Sequence, residues 1–202
     1  MALNASILSK LILGQCSAQG LNGADLPKFS KAFANGLITS FKSMNKVITT
    51  DVGVMTTGSG KGKMVGLTAS VLTQLTTGFL MGNGILGSKM MPLAKAVCNA
   101  TVMHFTAMNI VETKHTTVAL GSGIGKVMGL IPATMEAKII QEMASQNFKG
   151  TMLYPLVSAF SKAFCANVMA MGIVNVVITG SPAPLILGAP VPSAGSGTGK
   201  VK

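Results

Sequence analysis

The chain has no arginine and no tryptophan, one tyrosine, and only five acidic residues among 202. Without arginine it lacks the planar, bidentate fork that reads bases and phosphates. One tyrosine and eight phenylalanines offer little for stacking single-stranded bases. Specific nucleic-acid readout is therefore not expected, and only loose electrostatic attraction remains. The acids, Asp25, Asp51, Glu112, Glu136 and Glu142, do not form the positioned pair that general acid-base chemistry needs. Glu136 and Glu142 come nearest, but their spacing keeps them off a common helix face.

Cysteine and histidine are equally scarce. Cys16, Cys98 and Cys165 form no C-x-x-C pair, and His104 and His115 are the only histidines. The cysteines read as small buried apolar residues in a reducing compartment, and no zinc site or disulfide is expected. His104, beside Phe105, reads as a packed or edge histidine. The expectation is a protein with no catalytic residues, no cofactor and no metal. Residues 1–15 lack a basic n-region and carry Lys10 inside their apolar stretch, so no secretory signal is expected and the chain should act where it is made.

What is present is lysine, sixteen of them, for a net charge of +11. Such a balance favours an acidic protein surface, nucleic acid or anionic lipid as partner. Mean hydropathy is +0.56, and residues 163–199 carry no charge. That stretch raises a membrane-span reading, which Asn167, Asn175 and the Pro and Gly that follow weaken.

Internal similarity weakens it further. GSGKGKMVGL starts at Gly58, GSGIGKVMGL at Gly121 and GSGTGKVK at Gly195. N-x-V-x-T precedes each, at Asn45, Asn109 and Asn175, and SKAFAN, AKAVCN and SKAFCAN come earlier, after Pro27, Pro92 and Pro155. The leading segments LNASILSKLI, LTASVLTQLT and LIPATMEAKII also correspond. The reading is three tandem units of about 64 residues, 3–66, 67–129 and 130–202, the last with a Pro-rich insertion at 181–194. Segments equivalent to the apolar run hold Lys31, Lys42 and Lys46, then Lys95, His104 and Glu112, so no integral membrane span is expected.

Each unit opens with apolar residues at helical spacing, such as Ile7, Leu8, Leu11 and Ile12, or Met135, Ile139 and Met143. Asn4 and Thr68 suit N-caps and Pro132 a first turn. Stops are expected at Gly20–Gly23, Gly82–Gly84 and Asn147–Gly150. A second helix follows each proline, with Phe29, Phe33, Leu37 and Phe41 on one face of the first. Valine and threonine then predict two short strands around a glycine turn at Gly58 and Gly60, Gly121 and Gly123, or Gly195 and Gly197. The fold class expected is α+β, with each unit two helices plus a β-hairpin, packed with pseudo-threefold symmetry because a single unit buries too little to stand alone. The fifteen methionines follow the helix stripes and read as core filler.

The glycine runs invite a phosphate-loop reading that fails on spacing. Walker A requires G-x-x-x-x-G-K-[ST], but Thr57, Leu120 and Ala194 stand where the first glycine belongs, and Met64, Val127 and Val201 follow the lysine. What recurs is charge: Lys31, Lys95 and Lys162, with Lys63, Lys126 and Lys200. These read as solvated faces or as a ring of positive charge at a repeated interface.

MALNASIL at the start, NVVITG, and GSGTGKVK at the end resemble small virion structural proteins of tailed bacteriophages. The triplication and the apolar insertion depart from that pattern. The resemblance implies a non-enzymatic structural component, in the tail or baseplate, or alternatively a head decoration or head-to-tail protein, made in the host cytoplasm. It further implies homo-oligomers, with three joined units forming a trimer within one chain and two chains a pseudo-sixfold ring. Partners would be other virion proteins, and DNA or an acidic surface by non-specific attraction. A cationic membrane-associated protein is the reading from a different class.

Overall fold

A computed structural model describes residues 3–44, 46–54, 57–115, 120–148, 150–180 and 193–201. Asn45 of the N-x-V-x-T motif and residues 181–192 of the insertion lie outside the described residues. The elements run α1 (Ala5–Ala18), α2 (Leu26–Met44), β1 (Lys46–Val54), β2 (Thr57–Val65), α3 (Ala69–Gly82), α4 (Met90–Met108), β3 (Ile110–His115), β4 (Leu120–Met128), α5 (Pro132–Ser145), α6 (Leu153–Met171), β5 (Ile173–Gly180) and β6 (Ser193–Val201). The chain is thus α+β, as its patterning predicts. Short helices of 14 residues alternate with long ones of 19.

Local chemistry explains the helix ends. Asn4 caps α1, its Oδ1 accepting from the Ser6 amide at 2.8 Å. Thr68 stands at the α3 N-cap but makes no side-chain cap bond. Pro132 opens α5. Pro27, Pro92 and Pro155 lie inside the first turns of α2, α4 and α6, where a missing amide hydrogen costs no helical bond. Gly20, Gly84 and Asn147 stop the short helices in the left-handed region, at φ of +75°, +73° and +58°. Past each stop, the amides of Leu21, Ile85 and Phe148 reach back to the carbonyls of Cys16, Leu80 and Met143 at 3.0 Å. This is the Schellman arrangement, with an apolar residue beyond the glycine or asparagine.

The helices close into a ring, each packing on its chain neighbours and α6 on α1. The long helices supply the aromatic core. Phe33 meets Phe160 edge-on with ring centroids 5.7 Å apart, and Phe41 meets Phe105 at 4.7 Å and Phe164 at 5.7 Å. Leu8, Ile12, Leu72, Leu80 and Ile139 complete it from the short helices. Methionine divides, contrary to the core-filler expectation: Met64, Met135 and Met143 are buried, whereas Met81, Met91, Met103, Met128 and Met152 are exposed.

The strands form a closed antiparallel barrel in chain order, β6 pairing back onto β1. The hairpins foreseen from the sequence are present, but the glycines expected at their turns are not in turns. Gly58 and Gly60 lie in β2, Gly121 and Gly123 in β4, and Gly195 and Gly197 in β6. The reason is width. With strands about 4.8 Å apart and tilted by some 40°, six strands close on a radius of about 6 Å. Side chains from every strand cannot fit inside, so β1, β3 and β5 fill the interior and the period-two glycines of β2, β4 and β6 face them. A Cβ at Gly60 would fall on the Asp51 carboxylate and lie 2.7 Å from Thr113 Oγ1, and one at Gly58 would fall on the His115 ring.

The interior residues also correct the third N-x-V-x-T motif. Asn109, Val111 and Thr113 are buried, but Asn175 is exposed and Val177 is 60% exposed. Val174, Val176 and Ile178 take the inward places on β5. The motif is displaced by an odd number of residues, which reverses every side chain's face in a strand.

Candidate functional site

Two groups of side chains depart from what packing alone would select: a polar cluster inside the barrel and a band of lysines on its outer wall.

Inside, Asp51 at the far end of β1 has no exposed surface. Thr49 Oγ1 donates to its Oδ2 at 2.7 Å and Thr113 Oγ1 to its Oδ1 at 2.9 Å. His115 Nε2 lies 3.3 Å from Oδ1, with both side chains sealed from solvent. The two hydroxyl donors compensate the loss of water around the buried carboxylate, and the His115 ring stands against it. Thr49 and Thr113 occupy corresponding places on β1 and β3, as do Asp51 and His115, while β5 contributes Val176 and Ile178. The cluster therefore spans two hairpins and stops at the third. Sequence reasoning missed it, although T-x-D at 49–51 and T-x-H at 113–115 fall at the same distance from their strand starts.

The position of this cluster limits its chemistry. Ser59, Ser122 and Ser196 are exposed on the outer wall, the opposite side of the sheet from the imidazole. The two threonines that share its interior already donate to Asp51. The arrangement joins strands. Nearby, buried Asn109 ties barrel to helix, its Oδ1 accepting from the Met64 amide at 2.7 Å and its Nδ2 donating to the Phe105 carbonyl at 2.6 Å. Among the described residues no group of three or more His, Cys, Asp or Glu side chains could hold a metal ion.

On the outer wall Lys46, Lys61, Lys63, Lys114, Lys126 and Lys200 are exposed. Glu112 is the acidic residue among them, 3.7 Å from Lys61. Lys61 and Lys126 both stand opposite Glu112 in register, and Lys114 stands opposite Ile124. A groove of about 860 Å³ crosses β2, β3 and β4 here, lined on its outer side by Lys61, Lys114, Lys126, Ser59, Ser122 and Ile124.

The lysines singled out by recurrence are all exposed, but they are not assembled into one site. Lys63 and Lys126 precede the inward Met64 and Val127 on β2 and β4, and Lys63, Lys126 and Lys200 stand opposite Ile48, Glu112 and Asn175. They are distributed around the wall. Lys31 and Lys95 occupy the same position in α2 and α4, whereas Lys162 sits one turn further along α6. The SKAF motif of the third segment is shifted by that turn, which preserves its helix face.

The cysteines are free and buried. Burial pushes the Cys98 thiol up to about 11, and the Cys165 thiol up to about 12. His104 is fully buried rather than at an edge. Desolvation first, and then the charge of Lys138, lower its pKa from the ordinary 6.5. No helix among the described residues is long and apolar enough to cross a membrane.

No protein-family model, curated protein or solved structure matches the chain.

Proposed function

We propose that the chain is a non-enzymatic structural component of a bacteriophage virion, placed in the tail or baseplate, with head decoration or a head-to-tail position as the alternative within the particle. Its three units of about 64 residues, 3–66, 67–129 and 130–202, act as joined copies of one building block around a pseudo-threefold axis. Closure is the observation that supports this reading. The ring of helices and the barrel both close within one chain, and the polar chemistry is either sealed inside or spread over a cationic outer wall.

Closure also revises how assembly would proceed. A closed barrel has no free strand edge, so copies or neighbours cannot be recruited by adding strands. Contacts in the particle must form through side-chain faces. Mass spectrometry of particles purified from a lysate that produces the chain tests the proposal: it should appear in stoichiometric amount and resist removal by washing. Its absence from the particles would sink the reading.

A further inference from the structure

We propose that the β2–β3–β4 wall of the barrel docks an acidic protein segment that also carries apolar side chains. This inference rests on the structural-component reading and names the partner that the wall would hold.

The lysines are unevenly spread. Lys61, Lys63, Lys114 and Lys126 project from these three strands against Glu112 alone. On β5, β6 and β1 the outward residues include Asn175, Val177, Thr198, Ile48 and Thr50, with cations only at Lys46 and Lys200. Four of the six lysines of the wall thus lie on these three strands, where the groove of about 860 Å³ runs. That is a volume suited to a few side chains.

Three features favour a protein over nucleic acid. First, Ile124 is 64% exposed and Met128 46% exposed on the same strand as Lys126. Alternation puts Ser122, Ile124, Lys126 and Met128 in one row about 7 Å apart. A phosphate backbone has nothing apolar to cover Ile124 and Met128, whereas a carboxylate flanked by apolar side chains matches the row. Second, Glu112 stands between Lys61 and Lys126 in register. A carboxylate there repels a phosphate run, while a protein segment can leave it paired with Lys61. Third, the wall has no arginine or aromatic side chain to read or stack bases. Ser59 and Ser122 add hydroxyls able to bond a partner's backbone.

Fluorescence anisotropy of a labelled short peptide alternating glutamate and leucine tests the inference on the whole chain. The controls are a glutamate–serine peptide of equal charge, a short DNA duplex and vesicles containing anionic lipid. The glutamate–leucine peptide should bind at least about tenfold more tightly than the glutamate–serine peptide. The Lys114→Glu, Lys126→Glu double variant should lose about tenfold, the Lys31→Glu, Lys162→Glu variant should bind as the parent does, and Glu112→Gln should bind more tightly. Circular dichroism establishes that each variant is folded. If the double variant unfolds, Lys114→Gln and Lys126→Gln singly provide the same comparison at smaller effect. Equal binding of the two peptides, tighter binding of duplex or vesicles, or no binding would overturn the proposal. Particle composition is an independent readout, so the chain can be present in particles while the wall fails to bind, or the reverse.

Discussion

Asp51 is the buried carboxylate of the barrel interior. It accepts from two threonines and faces His115 without access to water. Removing one member of a buried polar set leaves its partners without hydrogen bonds, at a cost of about 1–3 kcal/mol. Asp51→Ala should therefore lower unfolding stability by that amount in a urea titration, and a loss under about 1 kcal/mol would show that the cluster is not structural. His104 makes a different prediction. Ser40, His104 and Asn167 stand at the same position of α2, α4 and α6, all buried. Because the folded state depresses the His104 pKa, the unfolded chain binds its proton first. Stability from this group is complete above the ordinary value of 6.5 and is lost as pH falls through the depressed folded value. Urea midpoints should drop between pH 7 and 5, and His104→Gln should flatten that slope. A slope unchanged by the substitution would assign the acid sensitivity elsewhere. Cys98 and Cys165, buried and held as thiols, should resist iodoacetamide at pH 8 until the chain is denatured.

At the scale of elements, two glycines in one segment should respond with opposite signs. Gly78 lies within α3 with open space where a Cβ would go, whereas Gly84 sits at φ +73° beyond the helix end. Gly78→Ala should stabilise by about 0.5–1 kcal/mol and Gly84→Ala should destabilise by about 1–2 kcal/mol. Thermal melts of the two variants read the signs directly. The same contrast explains what the sequence made legible. Helices could be read because their stripes and stops are local: Leu8 with Ile12, Met135 with Ile139, and the glycine or asparagine that ends each short helix. The glycine stretches of β2, β4 and β6 could not, because G-x-G-x-G resembles a turn to any local reading. Only the narrow barrel, a non-local fact, makes those glycines strand residues. The cluster at Asp51 was hidden for a related reason. Its members differ in type, so an aspartate and a histidine in matching places on β1 and β3 form no repeated residue pattern.

At the scale of the molecule, closure protects strand edges that would otherwise template association. Ending the chain at residue 192 removes β6 and opens both β1 and β5. That truncated chain should form oligomers or aggregates in light scattering, and a well-folded monomer would show that closure is dispensable. The barrel rim away from the helices has a further consequence. There Val54 connects to Thr57, His115 to Leu120 and Gly180 to Ser193, so one architecture accommodates a very short, a short and a long connection between strands. Lengthening such a span costs little, only about 0.6 kcal/mol per doubling. The rim is therefore where this chain can acquire foreign sequence. A peptide grafted within 116–119 should leave the melting temperature nearly unchanged, while the same peptide placed after Gly123 inside β4 should abolish folding.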